Sequence, residues 1–347
     1  MKYLLIVNPK SGNRKQEKYL QTAINYFTGC GIETVVEFTE YSGHATVIAR
    51  EALTQSYHTV IGCGGDGTIS EVVNGLAGSE QRTAILPWGT GNVFAKEMNF
   101  PLTLRKTCKM IRKGSSLKID LGKCNDRYFL LMCSCGFDAY ALRQLENSTL
   151  KKHLGVFAYV IAAFKAFVKY SFPTLEVRFG SKVADRSRTG LSFSDDDSKN
   201  DQNIQTDQTV QTDQTVQTIQ YGSLVVISNT SRYGRYFKFT PNAIPVDGLL
   251  DLAVYGERGQ WNFIKLVIRI VWNSLTKNHK DTHYFFLKKK SYHRVDKVTI
   301  FSNKLPLYYQ LDGDQFSSDQ LDIEIASSSI NMVLPRKIIR KFARTSI

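Results

Sequence analysis

The sequence has little of what marks secreted, zinc-binding or membrane-spanning chains. Its first apolar run, from Met1 to Pro9, is too short for a signal peptide, and no small-residue cleavage site follows it. The six cysteines show no Cys-x-x-Cys spacing and mostly lie inside apolar runs. This argues against a disulfide framework and against a cysteine-rich zinc module. We therefore expect a reducing, cytoplasmic compartment.

No long apolar stretch is free of charge. The stretch 154–172 carries two lysines four residues apart, and the stretch 261–275 carries Lys265 and Arg269 at the same spacing. Residues four apart share one face of a helix. Both stretches therefore predict amphipathic helices, in the core or at a membrane surface, and not membrane spans.

Positive charge, by contrast, is abundant. Lys and Arg number 45 and Asp and Glu number 31, which gives a formal net charge of +14. A charge of this sign favours an anionic partner, such as a nucleotide phosphate, an acidic membrane surface or nucleic acid. Because no nucleic-acid-binding module is recognisable, no nucleic-acid partner is expected.

Part of this charge lies in the segment 335–344, where five cations alternate with Ile338, Ile339 and Phe342. As a helix, this segment would combine an apolar stripe with a basic face. That pattern is typical of helices that lie on an anionic bilayer surface. A frayed, solvated tail is the alternative.

The chain has 347 residues, of which 42% are apolar, enough for about two domains. Up to residue 121, strand and helix patterns alternate, which predicts an α/β domain with a parallel sheet. Ligands of such sheets bind beyond the carboxyl ends of the strands. Over residues 122–325, short alternating segments predict a mostly antiparallel second domain. Residues 326–347 are candidates for joining the first domain.

The segment 185–220 differs from its surroundings. It is polar and contains the repeat Thr-Asp-Gln-Thr-Val-Gln twice in succession. Such a composition buries too little apolar surface to offset the entropy of ordering. We therefore expect a disordered surface insertion that extends a hairpin and has no catalytic role.

Three glycine-rich turns follow predicted strands of the first domain. They are Asn8-Pro9-Lys10-Ser11-Gly12, Gly64-Gly65-Asp66-Gly67-Thr68 and Gly89-Thr90-Gly91-Asn92. Glycines let backbone N–H groups approach a phosphate, and a helix N-terminus adds partial positive charge. Asp66 would repel phosphate, so it either holds the loop by its own hydrogen bonds or binds a Mg²⁺ that bridges to the phosphates. Tight strand–helix turns are the alternative, but three together favour phosphate binding.

These turns belong to an ordered set of motifs that resembles the diacylglycerol kinase catalytic-domain superfamily, and its stand-alone bacterial lipid kinases most of all. The set runs from Lys2 to about Ile325, apart from the insertion. Its further members are Thr39 with Gly43-His44-Ala45, Glu71-Val72-Val73-Asn74-Gly75 and Asp247-Gly248-Leu249-Leu250-Asp251. The resemblance implies a Rossmann-like ATP-binding lobe of the phosphofructokinase and NAD kinase type, a β-sandwich-like second lobe, and an active site in the cleft between them.

The same resemblance implies which residues would contact ATP. They are Asn8, Pro9, Lys10, Ser11, Gly12, Thr39, Gly64, Gly65, Asp66, Gly67, Thr68, Ile69, Ser70, Gly89, Thr90, Gly91 and Asn92. Asp66 would also govern the geometry of the phosphates and Mg²⁺, and so act in catalysis.

A second constellation, Gln310-Leu311-Asp312-Gly313-Asp314, stands where the family usually shows Asp-Gly-Glu. Phosphoryl transfer to an alcohol needs a base near the hydroxyl, and the resemblance assigns that role to Asp312. Without the resemblance, an Asp-Gly hairpin turn would be the preferred interpretation. Asp314 keeps a carboxylate in the catalytic set but is one methylene shorter than Glu. Its reach is altered, which leaves room for weak activity.

Family members also hold a structural Mg²⁺ near the turn at Asp247. The resemblance implies as ligands the Asp247 side chain and the backbone carbonyls of Ile244 and Leu249, oxygen ligands of the kind that hard cations prefer. Val246 stands where an additional Asp is common. The alternative is a turn in which Asp247 makes only local hydrogen bonds.

Together, these features predict an ATP- and Mg²⁺-dependent lipid kinase that phosphorylates a neutral lipid, diacylglycerol first, to give phosphatidic acid. A sphingoid base or another lipid as acceptor, NAD, and a catalytically quiet lipid- or nucleotide-binding regulator are the alternatives. A lipid substrate implies transient, peripheral contact with the anionic inner face of a membrane, and a homodimer is possible.

Overall fold

The structure is a computed structural model that describes residues 1–12, 16–137, 139–140, 143, 170, 173–180, 208–212, 215–232, 240–255 and 292–344. The predicted amphipathic helix at 261–275 lies outside the described residues, as does all of 154–172 except Tyr170. Among the described residues, no helix is long and apolar enough to cross a bilayer.

The first lobe is an α/β unit whose four parallel strands lie in the order β2-β1-β3-β4. The strands are β1 (Lys2–Val7), β2 (Glu33–Phe38), β3 (Thr59–Gly64) and β4 (Arg82–Pro87). The helices are α1 (Gln16–Thr28), α2 (His44–Ala52), α3 (Asp66–Leu76), α4 (Val93–Glu97) and α5 (Leu104–Lys113). The predicted alternation of strands and helices is confirmed.

Strand β1 shows why this sheet is buried on both faces. Leu4 and Ile6 pack into a core cluster with residues of α2 and α3, whereas Tyr3, Leu5 and Val7 pack into a second cluster with residues of α1 and α5. Successive side chains of a strand point to opposite faces. A continuous apolar strand therefore requires helices on both sides, as in parallel sheets generally.

The second lobe consists of antiparallel strands in two sheets. Its first strands are β5 (Ser116–Cys124), β6 (Arg127–Phe129), β7 (Met132–Gly136), β8 (Leu175–Gly180), β9 (Gln208–Thr212), β10 (Thr215–Gly222) and β11 (Leu224–Ser228). Its later strands are β12 (Leu250–Tyr255), β13 (Tyr292–Val295), β14 (Lys297–Ser302), β15 (Leu307–Leu311), β16 (Asp314–Ser318) and β17 (Gln320–Val333). In the described part, one sheet has the order β13-β12-β11-β7-β15-β16, and β17-β14-β8-β10-β9 continue the sheet of the first lobe.

The long strand β17 joins the two lobes. Its first half pairs with β14 and with β5, both antiparallel. After an irregularity between Ala326 and Ile330, Asn331 and Met332 pair in parallel with β4 of the first lobe. One sheet therefore runs through both lobes, and the predicted α/β fold with an antiparallel second domain is confirmed.

The segment after β17 is helical over α6 (Arg336–Ala343). Its residues Ile338 and Phe342 are buried in the same core cluster as Leu4 of β1. The predicted amphipathic pattern is present, but its apolar face packs against the protein. That face is not available for insertion into a bilayer, and the alternative of a solvated tail is also wrong for the described part of the segment.

The insertion is only partly as expected. Residues 208–212 and 215–220 form strands β9 and most of β10, so the prediction of disorder is wrong there. Strand β10 pairs with β8 and with β9. This part of the repeat is rich in the β-branched residues Thr and Val, which favour strands. Residues 185–207 and 213–214 lie outside the described residues.

Candidate active site

The three glycine-rich turns meet at one edge of the sheet, because they follow the carboxyl ends of adjacent parallel strands. A Cβ built on Gly89 would lie 2.4 Å from the Cα of Gly65. Gly12 has φ +93°, and a Cβ built on it would lie 2.4 Å from the Trp88 carbonyl oxygen. These approaches exclude any side chain at Gly12 and Gly89 without displacement of the neighbouring backbone.

The first turn is tied to the second by a side-chain hydrogen bond. The Asn8 Nδ2 donates to the Thr68 Oγ1 (3.0 Å), and its Oδ1 accepts the Lys10 N–H (2.9 Å). The Ser11 hydroxyl donates to the Asn8 carbonyl oxygen (3.0 Å). Asn8 and Ser11 therefore shape the turn through Pro9 at the mouth of the predicted ATP site.

The second turn leads directly into α3, which begins at Asp66 after Gly65. The first N–H groups of a helix have no carbonyl partner one turn earlier, and the helix dipole adds partial positive charge there. Gly64, Gly65 and Gly67 surround this start, and Thr68 is buried beneath it. The arrangement suits a phosphate group.

Two residues of the predicted ATP set are placed differently from the rest. The Ile69 side chain is buried in the first lobe's core, so only its backbone could face a nucleotide. Ser70 follows it on α3, and its carbonyl oxygen accepts a hydrogen bond from the Asn74 Nδ2 (2.9 Å).

Asp66 holds the third loop in place. Its Oδ1 accepts the N–H groups of Val93 (2.7 Å) and Phe94 (3.3 Å) at the start of α4. Burial raises the pKa of Asp66, although these amides and the nearby Lys96 charge act in the opposite direction. Of the two roles that the sequence allowed, holding the loop is the one the structure shows.

The third loop, with Thr90 and Gly91, ends at Asn92, which has φ +48° and starts α4. Its Nδ2 donates to the carbonyl oxygens of Gly89 (2.8 Å) and Pro87 (3.3 Å). Its Oδ1 is buried and has no hydrogen-bond partner among the described residues. The Asn92 side chain therefore holds the third loop through its Nδ2.

Thr39 and the following turn are fixed by a residue to which the sequence gave no role. Thr39 is buried after β2, and its N–H donates to the Val7 carbonyl oxygen (2.9 Å). The carboxylate of Glu71 accepts the N–H groups of Gly43 (2.9 Å) and Ala45 (3.1 Å). Glu71 thus connects α3 to the start of α2, and its signal in the sequence is an acid within the helix that follows the second glycine-rich turn.

The candidate base comes from the second lobe, on the hairpin between β15 and β16. Asp312 (φ +52°) and Gly313 (φ +103°) form its two-residue loop, which has the positive φ values of a type I′ turn. The Asp312 carboxylate accepts three backbone N–H groups, from Leu130 (2.7 Å), Leu131 (2.8 Å) and Met132 (3.0 Å). The Asp-Gly hairpin is therefore present, and its acid is held by the amides of residues 130–132.

The charge of Asp312 interacts with that of Asp66 in the second glycine-rich turn. Burial, with a smaller contribution from the Asp66 charge, raises the pKa of Asp312 to about 6 against the effect of the three amides. The carboxylate oxygens of Asp314 lie 3.9 and 4.0 Å from a Cβ built on Gly67. Asp314 of the second lobe therefore lies beside the start of α3.

Two buried amides support this hairpin, and the sequence assigned a role to neither. The Gln310 Oε1 accepts the Gly313 N–H (2.7 Å), while its Nε2 donates to the Ser134 hydroxyl (2.9 Å). The Asn229 backbone N–H donates to the Leu131 carbonyl oxygen (2.9 Å). Gln310 could have been noticed as a polar residue beside Asp312, but Asn229 is far from Asp312 in the sequence.

The predicted metal ligands at the Asp247 turn do not fit a divalent cation. The Asp247 Oδ2 is paired with the Arg294 guanidinium, and its Oδ1 accepts the Leu249 N–H (3.1 Å). The Ile244 carbonyl oxygen accepts the Val246 N–H (2.9 Å). Among the described residues, no group of three or more His, Cys, Asp or Glu side chains is arranged to hold a metal ion.

Comparisons with known proteins agree with this geometry. The family model described as "Diacylglycerol kinase catalytic domain" matches residues 2–124, and the model "YegS C-terminal NAD kinase beta sandwich-like domain" matches residues 132–333. Curated proteins named diacylglycerol kinase, from Staphylococcus aureus strains bovine RF122 / ET3-1 and MRSA252, are 34% identical over 184 residues, which is 52% of this chain. The chain spans 57% of the length of these relatives.

A solved structure shows the same fold. The crystal structure of a diacylglycerol kinase from Bacillus anthracis strain Sterne superposes with a TM-score of 0.66 at 20% identity, and the superposition covers 97% of this chain and 98% of that one. With family models that match most of its length, the chain belongs to the diacylglycerol kinase catalytic-domain family.

Proposed function

We propose that the protein is an ATP- and Mg²⁺-dependent lipid kinase that transfers the γ-phosphoryl group to the free hydroxyl of diacylglycerol and forms phosphatidic acid. The observation that carries this proposal is that Asp314 of the second lobe lies beside Gly67 at the start of α3, while the charge of Asp312, two residues earlier, interacts with that of Asp66. Membership of the family and the name of the curated relatives support the choice of acceptor.

The first lobe binds the nucleotide. The start of α3 and the loops after β1 and β4 offer backbone N–H groups to the phosphates. Mg²⁺ that arrives with ATP neutralises charge on the phosphates. The second lobe supplies the acid that meets the alcohol.

Asp312 accepts the proton of the lipid hydroxyl. The hydroxyl oxygen forms a bond to the γ-phosphorus, the bond to the bridging oxygen of ADP breaks, and the proton passes to the carboxylate. Three amides use three of the roughly four acceptor positions of a carboxylate. Two of them bind Oδ1 and one binds Oδ2, so Oδ2 keeps room for the hydroxyl.

An assay with labelled ATP and separate acceptors tests this function. We expect phosphorylation of diacylglycerol in mixed micelles, with little transfer to ceramide, sphingosine or NAD. Preferential phosphorylation of a sphingoid base would replace diacylglycerol as the proposed acceptor. Phosphorylation of NAD would overturn the assignment as a lipid kinase. ATP binding without phosphoryl transfer to any of these acceptors would favour the alternative of a catalytically quiet lipid- or nucleotide-binding regulator.

The activity of this enzyme is expected to fall as pH is lowered through about 6. A carboxyl group accepts a proton only in its ionised form, and the pKa of Asp312 is raised to about 6. Below that value the base is neutral, so kcat/KM should decrease about tenfold per pH unit. The measurement is a pH profile at saturating ATP, with ATP binding measured at each pH as the control. A profile that stays flat down to pH 5 would exclude Asp312 as the titrating base.

A lipid acceptor also requires contact with a bilayer. The net charge of +14 favours an anionic surface. The apolar residues of α6 are buried, so this helix offers its cations to the surface and not its apolar stripe. The contact is peripheral and weakens as salt is raised.

A further inference from the structure

An arginine binds the one side chain that the family resemblance implies as a ligand of a structural metal. Asp247 lies in the turn before β12, and the Arg294 guanidinium binds its Oδ2. Arg294 stands on β13 directly opposite Asp251 of β12 in the sheet register. The Asp247 side chain is largely shielded, with 13% of its surface exposed, whereas that of Arg294 is half-buried, with 35% exposed.

The other acids around this turn are also bonded by the chain's own donors. Asp120 on β5 is buried, and its two oxygens accept the N–H groups of Gly248 (2.8 Å) and Ser328 (2.7 Å). The Asp251 Oδ1 accepts the hydroxyl of Tyr292, whereas its buried Oδ2 has no hydrogen-bond partner among the described residues. Mg²⁺ needs nearly octahedral oxygen ligands at about 2.0–2.1 Å. The Asp247 Oδ2, which is the implied side-chain ligand of Mg²⁺, is already paired with the Arg294 guanidinium.

We propose that Arg294 replaces the divalent cation at the Asp247 turn, so that this junction is held without metal. The guanidinium has a fixed positive charge and planar N–H donors suited to carboxylates. It stands close enough to Asp251 to interact with that charge as well. One residue of the chain thereby supplies the neutralising charge that the resemblance assigns to an ion.

The junction leads towards the candidate base. The carbonyl oxygen of Asp120 accepts the Asn229 Nδ2 (2.8 Å), and the Asn229 N–H donates to the Leu131 carbonyl oxygen. The Leu131 N–H in turn donates to Asp312. A guanidinium that holds this turn therefore positions the hairpin acid whatever the metal content of the solution, although the proposal itself does not depend on the proposed activity.

Thermal unfolding of the full chain without nucleotide tests the proposal. For the wild type, we expect the same Tm in EDTA as in millimolar Mg²⁺. For Arg294→Met, which leaves Asp247 without its cation, we expect a Tm lower by about 4 °C or more in EDTA. Millimolar Mg²⁺ should recover part of that loss, because the freed carboxylate can then bind the ion.

Arg178→Met is the matched control, because Arg178 is paired with Glu176 (2.6 Å) elsewhere in the second lobe. Its Tm should not depend on Mg²⁺. The proposal is overturned if EDTA lowers the Tm of the wild type by several degrees and Asp247→Asn removes that sensitivity, because an ion would then occupy the site. If Arg294→Met does not fold, elemental analysis of the wild type after dialysis with Mg²⁺ replaces the unfolding experiment. One equivalent of metal that the wild type retains and Asp247→Asn loses would contradict the proposal. A metal-free wild-type protein would support it.

Discussion

Asp312→Asn is expected to abolish lipid phosphorylation and to leave ATP binding nearly unchanged. The amide cannot take up the hydroxyl proton, and removal of a general base typically lowers kcat by about 10²- to 10⁴-fold. ATP affinity should persist because the three glycine-rich turns belong to the first lobe, whereas Asp312 stands on a hairpin of the second. The measurements are kcat with diacylglycerol in mixed micelles and the Kd for ATP.

The control for this variant is Asp322→Asn. Asp322 is an exposed acid of β17 that accepts hydrogen bonds from Thr299 and Gln320, and its loss should leave kcat unchanged. Asn at position 312 also places N–H donors opposite the amide donors of the 130–132 segment. A lower Tm is therefore expected as well, and kcat must be corrected for the folded fraction. A folded Asp312→Asn variant that transfers phosphate at the wild-type rate would remove Asp312 from the role of base.

Gly89→Ala is expected to weaken ATP binding by at least about tenfold and to destabilise the first lobe by about 1–3 kcal/mol. The added Cβ would lie 2.4 Å from the Gly65 Cα and 3.1 Å from the Asn92 Oδ1. The Gly65 backbone cannot move aside as easily as the end of a flexible side chain. The loops after β3 and β4 must separate, and the surface that they present to phosphate is lost. Denaturant unfolding and an ATP titration measure the two effects.

Gly65→Ala is a sharp control because it involves the same pair of backbones. A Cβ on Gly65 would meet the Gly89 Cα at 3.5 Å, an ordinary van der Waals distance. We expect this variant to unfold at nearly the wild-type denaturant concentration. Equal loss of stability in both variants would show that the close approach at Gly89 does not govern the packing of these loops.

Local patterns were sufficient for the first lobe. The strands β1, β3 and β4 are mostly apolar and buried, and each is followed by a turn and a helix, so the sequence predicts the elements and the edge at which ligands meet. The glycine-rich turns were predicted for the same reason: the residues that approach one another follow adjacent strands. Gly65 and Gly89 could be assigned to one site without knowledge of any long-range contact.

The side-chain contacts that could not be predicted from the sequence depend on pairing between distant segments. Arg294 reaches Asp247 only because β13 pairs with β12, and no local pattern encodes that register. The same holds for the amides of residues 130–132, which bind Asp312 from another strand. Hydrogen-bond partners of a buried acid are therefore a property of the tertiary fold.

The helix α6 shows a different limit of prediction from the sequence. Ile338 and Phe342 form an apolar stripe beside cations, and this pattern is equally compatible with a bilayer surface and with a protein core. What decides between them is the neighbouring surface, here the core cluster of the first lobe. The repeat within the insertion is a second example. Its polar composition predicts disorder, but part of it forms a strand that pairs with the edge of β8.

The continuity of β17 has a consequence for biosynthesis. Strand β4 receives its second neighbour only when Asn331 and Met332 are in place, and the apolar surface that α6 covers stays open until then. When the nucleotide-binding motifs have emerged from the ribosome, the nascent polypeptide must therefore wait, with one strand edge exposed, for a segment translated much later. Chaperone dependence during translation is the expected outcome of this late closure.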